Sequence, residues 1–193
     1  MRLITASRRR AVSCSLYCAV LFSGDVMKLA HYVLATQPEF TRILGTFYAV
    51  WSSAELCVSW AIGHFLRINY EETHVLTAGM EFGRKAILLR ALVKRSDHKH
   101  KDSILGALNK IHNDSKRNAF AHSFISSTLT TVTFVERSGA GGYKATAHTF
   151  TLPEFAAHVN ALIEHSAALS NALDFQSVES QKFGDAALSA NRS

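Results

Sequence analysis

The chain has 193 residues, 48% of them hydrophobic and 19% charged, which is typical of a globular protein with one hydrophobic core. Its three cysteines, Cys14, Cys18 and Cys57, exclude a disulfide framework and a cysteine-rich zinc site, and favour a reducing, cytoplasmic compartment. The formal net charge is +6, and residues 84–117 carry ten lysines and arginines against three aspartates. This basic segment predicts an anionic partner such as RNA, or alternatively a solvated helix face.

The two ends of the chain differ in composition from its middle. Arg8, Arg9 and Arg10 precede an apolar run over 11–22, as in a signal peptide, but no A-x-A cleavage site follows and the run is too short to span a membrane. We therefore expect residues 1–26 to be a disordered extension or a mis-assigned start before Met27, with an export signal as the alternative. Residues 27–175 are predicted to form the folded domain, and 176–193 a disordered tail.

Three helices are predicted in the first part of the folded domain. Apolar residues recur at helical spacing from Pro38 to about Ile68 and also fill the other faces, which indicates the most buried helix. A second helix is predicted over 71–95, acidic at its start and basic at its end. After a charged linker over 96–101, a third helix is expected from about Asp102, with an apolar stripe formed by Ile104, Leu108 and Ile111.

The pattern then changes from helical to alternating. Residues 129–136 and 145–151 are rich in threonine, valine and phenylalanine and flank Gly139–Gly142, which predicts a β-hairpin. Thr151 and Glu154 have the spacing of a capping box, and Pro153 suits a first helical turn. A last helix should therefore begin there and continue to about residue 173.

Three polar residues follow the stripe of the third helix. If that helix is unbroken, steps of three and four residues place Asn118 and His122 on its buried face. Burying an amide or an imidazole without a partner costs on the order of 1–3 kcal/mol, so both must be hydrogen-bonded. Arg117 lies on the flank, roughly 140° round the helix from His122.

The segment Arg117-Asn118-x-x-x-His122 resembles the R-x(4–6)-H signature of the HEPN superfamily, in which a polar residue often follows the arginine. The resemblance implies a mainly α fold: a HEPN-like four-helix bundle with a β-hairpin inserted before the last helix. It also implies a metal-independent endoribonuclease without a cofactor, and a homodimer in which two motifs form one composite site. The resemblance further implies that the protein acts as a toxin or antiviral defence effector, with a possible antitoxin partner.

A second arginine–histidine pair has the same spacing but not the same context. Arg95 and His100 are also separated by four residues, yet Ser96 follows the arginine and the pair lies in the charged linker. Only the pair at 117 and 122 combines the amide with the end of an amphipathic helix. We therefore take Arg117, Asn118 and His122 as the candidate catalytic residues.

The chemistry of these side chains fits RNA cleavage by the substrate's own 2′-hydroxyl. A histidine suits proton transfer near neutral pH, and the guanidinium fork of arginine suits a phosphate. Lys110, Lys116 and Arg95 are expected to contact the RNA. Two alternatives remain: a catalytically inactive HEPN-like module that binds nucleic acid or a protein, and a buried polar network in which Asp114 pairs with Arg117.

Overall fold

A computed structural model describes residues 38–128, 130–138 and 144–174, apart from the side chains of His122, Phe124 and Ser138. The predicted extension over 1–26, the Gly139–Gly142 hairpin tip and the tail over 176–193 lie outside the described residues. The described residues form α1 (Pro38–Leu66), α2 (Tyr70–Thr77), α3 (Phe82–Arg95), α4 (Lys101–Asp114), α5 (Arg117–His122), β1 (Phe124–Ser127), β2 (Thr131–Ser138), β3 (Lys144–Thr151) and α6 (Leu152–Ala172).

Helix α1 is the long buried helix that the apolar spacing predicts. It has 29 residues, and its inward face buries a regular series of side chains that includes Phe40, Phe47 and Trp51. Removing such side chains from water supplies roughly 1.5–3 kcal/mol each, which is why this helix organises the core. The prediction of a helix over 38–68 is confirmed to within two residues.

The second predicted helix is divided in two. Helix α2 has its own capping box, in which Asn69 and Glu72 exchange hydrogen bonds, and it ends at Thr77 before Gly79. Glu81 is in extended conformation and precedes α3. The prediction of one continuous helix over 71–95 is therefore wrong. A Cβ atom at Gly63 would collide with the Thr73 side chain, so this glycine allows α2 to fold closely against α1.

Helices α3 and α4 form an antiparallel pair. Phe82 stacks on His112 at one end of the pair, and the ammonium group of Lys101 donates to the carbonyl of Lys94 at the other. Between them, the guanidinium of Arg90 donates to Asn109 Oδ1 at 2.7 Å. The buried face of α4 consists of Ile104, Ala107, Leu108 and Ile111, which confirms the predicted apolar stripe.

The predicted hairpin is part of a three-stranded antiparallel sheet. Strands β2 and β3 pair from Thr131 opposite Thr151 to Ser138 opposite Lys144. Strand β1, which the sequence pattern did not reveal because it is short and lacks clear alternation, pairs with β2 on its other side. Val132 and Phe134 are fully buried, so the sheet contributes one apolar face to the core.

The last helix begins where the capping box predicts. Thr151 Oγ1 accepts from the Glu154 amide at 3.3 Å, and Glu154 Oε2 accepts from the Thr151 amide at 2.8 Å. Pro153 lies in the first turn, where its missing N–H leaves no donor unsatisfied. The bonds that the Thr151 amide and hydroxyl donate to the Glu154 carboxylate favour its charged form and lower its pKa.

The described part of the chain is mostly helical with one small antiparallel sheet, so the mainly α class is confirmed. The described residues from 39 to 174 belong to one compact unit in which α6 packs against α4 and β3, and α5 packs against β2. None of the described helices has both the length and the apolar character needed to cross a bilayer. This arrangement places the short helix α5 between α1 and the sheet.

Candidate functional site

The motif lies on a helix of its own. Helix α4 ends at Asp114, and Lys116 takes up a left-handed conformation with φ 50° before α5 begins at Arg117. This conformation costs a residue with a side chain roughly 1–2 kcal/mol. The amide of Phe120 then donates to the Lys116 carbonyl at 3.0 Å and closes the first turn of α5. The break changes the direction of the chain immediately before the motif.

The break moves Asn118 off the buried stripe. Asn118 is exposed, Arg117 is half-buried, and the buried residues of α5 are Ala119 and Phe120. The prediction that Asn118 continues the buried stripe of α4 is therefore wrong, because the helical phase restarts after Lys116. The guanidinium of Arg117 donates to Asn118 Oδ1 at 3.2 Å, so these two motif side chains lie together at the surface.

Phe120 anchors the motif helix in the core. Its side chain is 1% exposed and lies where α5 meets α1, the sheet and α6. The ring contacts Phe47, Phe134, Phe150, Phe155 and His158 at centroid separations from 4.4 to 5.9 Å. Aromatic pairs of this kind contribute about 0.5–1.5 kcal/mol each beyond the area they bury. The position of Arg117 and Asn118 is therefore set from beneath by a rigid aromatic cluster.

Tyr48 of α1 joins this site from a distant part of the sequence. Its hydroxyl donates to the Phe120 carbonyl at 3.0 Å, which ties α1 to the end of the motif helix. Burial raises the pKa of the Tyr48 phenol, while the positive charge of Arg117 acts in the opposite direction. The tyrosine is thus a neighbour of both the motif backbone and the motif arginine.

His158 of α6 holds the chain at the helix break. Its Nε2 donates to the Ser115 carbonyl at 3.1 Å, and its ring meets Phe120 edge to face. Burial lowers the pKa of His158, as does the charge of Lys116, whereas the bond to the Ser115 carbonyl and the charge of Asp114 raise it. Burial is the largest of these effects, so the neutral imidazole is favoured.

This lowered pKa predicts a loss of stability in acid. The unfolded chain binds the proton more tightly than the folded protein, so His158 stabilises the fold above about pH 6.5, and this contribution is lost as the pH falls toward the folded-state pKa. His158→Gln can still donate to the Ser115 carbonyl but does not titrate. The free energy of unfolding in urea should therefore decrease less between about pH 7.5 and about pH 5.5 in the variant than in the wild type.

His98 should also contribute to the loss of stability in acid, because burial and the charges of His100, His64 and Lys99 lower its pKa. Some pH dependence should therefore remain in His158→Gln. An identical decrease in the two proteins would show that His158 does not titrate as described. A variant that is already much less stable at about pH 7.5 would show that the imidazole is needed for packing rather than for its hydrogen bond.

The three predicted RNA-contacting residues are exposed but do not lie together. Lys116 immediately precedes the motif, and Lys110 lies on the last turns of α4. Arg95 ends α3, at the opposite end of the α3–α4 pair and about 20 Å from the motif along α4. The structure therefore does not place Arg95 beside Arg117.

Other reactive groups in the described residues do not add to this site. His122 is the last residue of α5, but its side chain lies outside the described part of the chain. Burial raises the pKa of the Cys57 thiol to about 12, which keeps it protonated and unreactive at neutral pH. Among the described residues, no group of three histidine, cysteine, aspartate or glutamate side chains could hold a metal ion.

Sequence reasoning missed Tyr48 and His158. Tyr48 lies among apolar residues of α1, where its polar hydroxyl was the only sign of a specific partner. His158 lies one turn after Phe155 and next to Val159 on the apolar stripe of α6. A histidine on such a stripe requires a hydrogen-bond partner. The sequence therefore indicates that His158 has a partner, but it does not reveal which residue the partner is.

Comparisons of this chain with family models, curated proteins and solved structures found no match.

Proposed function

We propose that this protein is a metal-independent endoribonuclease of the HEPN type, with Arg117, Asn118 and His122 as its catalytic residues. The main support is the pairing of Arg117 and Asn118 at the surface of a helix whose opposite side is anchored by Phe120. Because these polar side chains lie at the surface on a rigid support, a role in ligand binding explains them better than the buried polar network considered above. In the described residues, no ion pair joins Arg117 to Asp114, as that network would require.

The reaction that fits these residues is attack by the ribose 2′-oxygen on the adjacent phosphorus. The 2′-hydroxyl loses its proton to a base, the bond from phosphorus to the 5′-oxygen breaks, and the leaving 5′-oxygen takes up a proton. The products are a 2′,3′-cyclic phosphate and a 5′-hydroxyl. Arg117 would neutralise the charge on the phosphorane oxygens, and His122 would act as base or acid.

One histidine can perform only one of the two proton transfers at a time. We therefore propose a homodimer in which the motifs of two subunits face one RNA strand and each supplies one imidazole. Within this hypothesis the HEPN-like four-helix bundle corresponds to α1, α3, α4 and α6, and the sheet occupies the position of the inserted hairpin. We further propose that the enzyme acts in the cytoplasm as a toxin or antiviral defence effector, which an antitoxin can restrain.

The test is RNA cleavage in the presence of EDTA. Wild-type protein should cut RNA, and His122→Ala should lose this activity while its melting temperature and RNA affinity stay nearly unchanged. His100→Ala is the matched control, because His100 has the same spacing from Arg95 but lies at the far end of α4. It should cut RNA at the wild-type rate.

Each other outcome has a distinct meaning. RNA binding without cleavage by the wild type would favour the inactive HEPN-like module, which binds nucleic acid or a protein partner. Unfolding of His122→Ala would favour a structural role for the histidine. Undiminished cleavage by His122→Ala would indicate a contaminating ribonuclease, and equal losses in His122→Ala and His100→Ala would indicate a general effect of charge. Either result would remove the proposal.

A further inference from the structure

Tyr48 presents a fixed aromatic ring to solvent beside the motif. The residue is 38% exposed, although its hydroxyl is held by the Phe120 carbonyl at 3.0 Å. On its inner side the ring meets Phe47 edge to face at 5.5 Å, and Phe47 is itself fully buried against Phe120. The ring is therefore held at its hydroxyl and on the side that meets Phe47, while 38% of the residue remains exposed.

The positive charge of Arg117 acts on the Tyr48 phenol and opposes the effect of burial on its pKa. Phe120, which accepts the tyrosine hydroxyl bond, lies three residues after Arg117 on the same six-residue helix. A partly exposed aromatic ring and a half-buried guanidinium thus both lie at the same short helix. Unpaired nucleotides are recognised by this combination, in which a base stacks on an aromatic side chain and an arginine binds the phosphate.

We propose that Tyr48 and Arg117 form a binding site for an unpaired nucleotide, and that the RNA bound by this protein is single-stranded. The base would stack on the Tyr48 ring, and Arg117 would hold the neighbouring phosphate. In duplex RNA the bases are already stacked on one another and cannot reach such a ring, so a duplex should bind weakly. This inference deepens the proposed function and takes RNA as the ligand from it, but binding does not require cleavage.

A purely structural role for Tyr48 makes different predictions. If the residue only ties α1 to α5, its hydroxyl is the important group, and Tyr48→Phe should be as damaging as Tyr48→Ala. If the ring stacks on a base, Tyr48→Phe should keep the RNA affinity, because a phenyl ring also offers a face. The two variants therefore separate the tether from the stacking surface.

The experiment measures fluorescence anisotropy of a labelled 2′-O-methyl oligoribonucleotide, which lacks the attacking hydroxyl and cannot be cut by the proposed reaction. The oligonucleotide is used alone and annealed to its complement. The single strand should bind at least about tenfold more tightly than the duplex, and Tyr48→Ala should weaken single-strand binding by about tenfold, which corresponds to the loss of one stacked base. Tyr48→Phe should stay within about twofold of the wild type.

Tyr70→Ala is the matched control, since Tyr70 lies on α2 and stacks on His74 rather than beside the motif. Its affinity should equal that of the wild type, and thermal unfolding of every variant should confirm that it is folded at the assay temperature. Equal binding of single strand and duplex, or unchanged binding by folded Tyr48→Ala, would overturn the inference. If Tyr48→Ala does not fold, Tyr48→Leu replaces it, with the same loss expected.

This test and the cleavage test can fail separately. Tyrosine-dependent binding of the single strand without cleavage of ordinary RNA would remove the ribonuclease and leave the nucleotide site. Cleavage of RNA by the wild type with no effect of Tyr48→Ala on binding would leave the ribonuclease and remove the nucleotide site.

Discussion

Replacing Phe120 with alanine should lower the free energy of unfolding by about 3–5 kcal/mol. The ring is 1% exposed and contacts five other rings, so its removal leaves a cavity that the surrounding side chains cannot fill. A loss of this size is a large fraction of the stability of a typical domain. The variant should therefore unfold at much lower urea concentration, as measured by circular dichroism.

Phe120→Leu is the control for this change. Leucine keeps most of the buried volume but loses the aromatic contacts, so we expect a cost of about 1–2 kcal/mol. Because Phe120 supports Arg117 and Asn118 from beneath, RNA affinity should also decrease in the folded fraction of Phe120→Ala. A cost below about 1 kcal/mol for Phe120→Ala would mean that the aromatic cluster does not anchor the motif helix.

The second large effect is expected at the ion pair that joins α1 to α3. Lys85 Nζ lies 3.0 Å from Glu55 Oε1, and the two side chains are 9% and 31% exposed. Breaking a buried pair leaves the remaining charge without compensation, and the cost depends on how well water can reach it. Glu55→Gln leaves the buried ammonium and should cost about 3 kcal/mol, whereas Lys85→Met leaves the more exposed carboxylate and should cost about 1 kcal/mol.

The double variant Glu55→Leu with Lys85→Met tests the same argument. It removes both charges and fills the space with apolar atoms, so its free energy of unfolding should lie close to that of the wild type. Urea unfolding of the three variants under one set of conditions provides the comparison. Equal costs for the two single substitutions would contradict the argument that the cost depends on the exposure of the remaining charge. A double variant less stable than both single variants would contradict the argument that an uncompensated charge causes the loss.

Much of the secondary structure follows from local features of the sequence. The apolar repeat of α1 and the stripe of Ile104, Leu108 and Ile111 are strong signals, because each repeats over several turns and a shift would expose the core. The capping box of Thr151 and Glu154 marks the start of α6, since its hydrogen bonds involve only neighbouring residues. Alternation over two long strands likewise predicts the pair formed by β2 and β3.

Features that depend on distant partners were not predictable in this way. Lys85 counts as a surface charge in the sequence, but Glu55, thirty residues earlier, allows it to be buried. Tyr48 meets the motif through a hydrogen bond across 72 positions, and His158 meets Ser115 across 43. Residue spacing contains no information about such contacts.

The sequence alone thus determines the helical class, the long first helix and the capped start of the last helix. It also determines that Arg117, Asn118 and His122 lie near the end of a helix. Tertiary structure decides that α4 stops at Asp114 and that α5 starts again in a new phase. The physical reason is that burying the Phe120 ring among five others stabilises the chain by more than the roughly 1–2 kcal/mol that a left-handed Lys116 costs. Asn118 is consequently exposed, where an unbroken helix would have buried it.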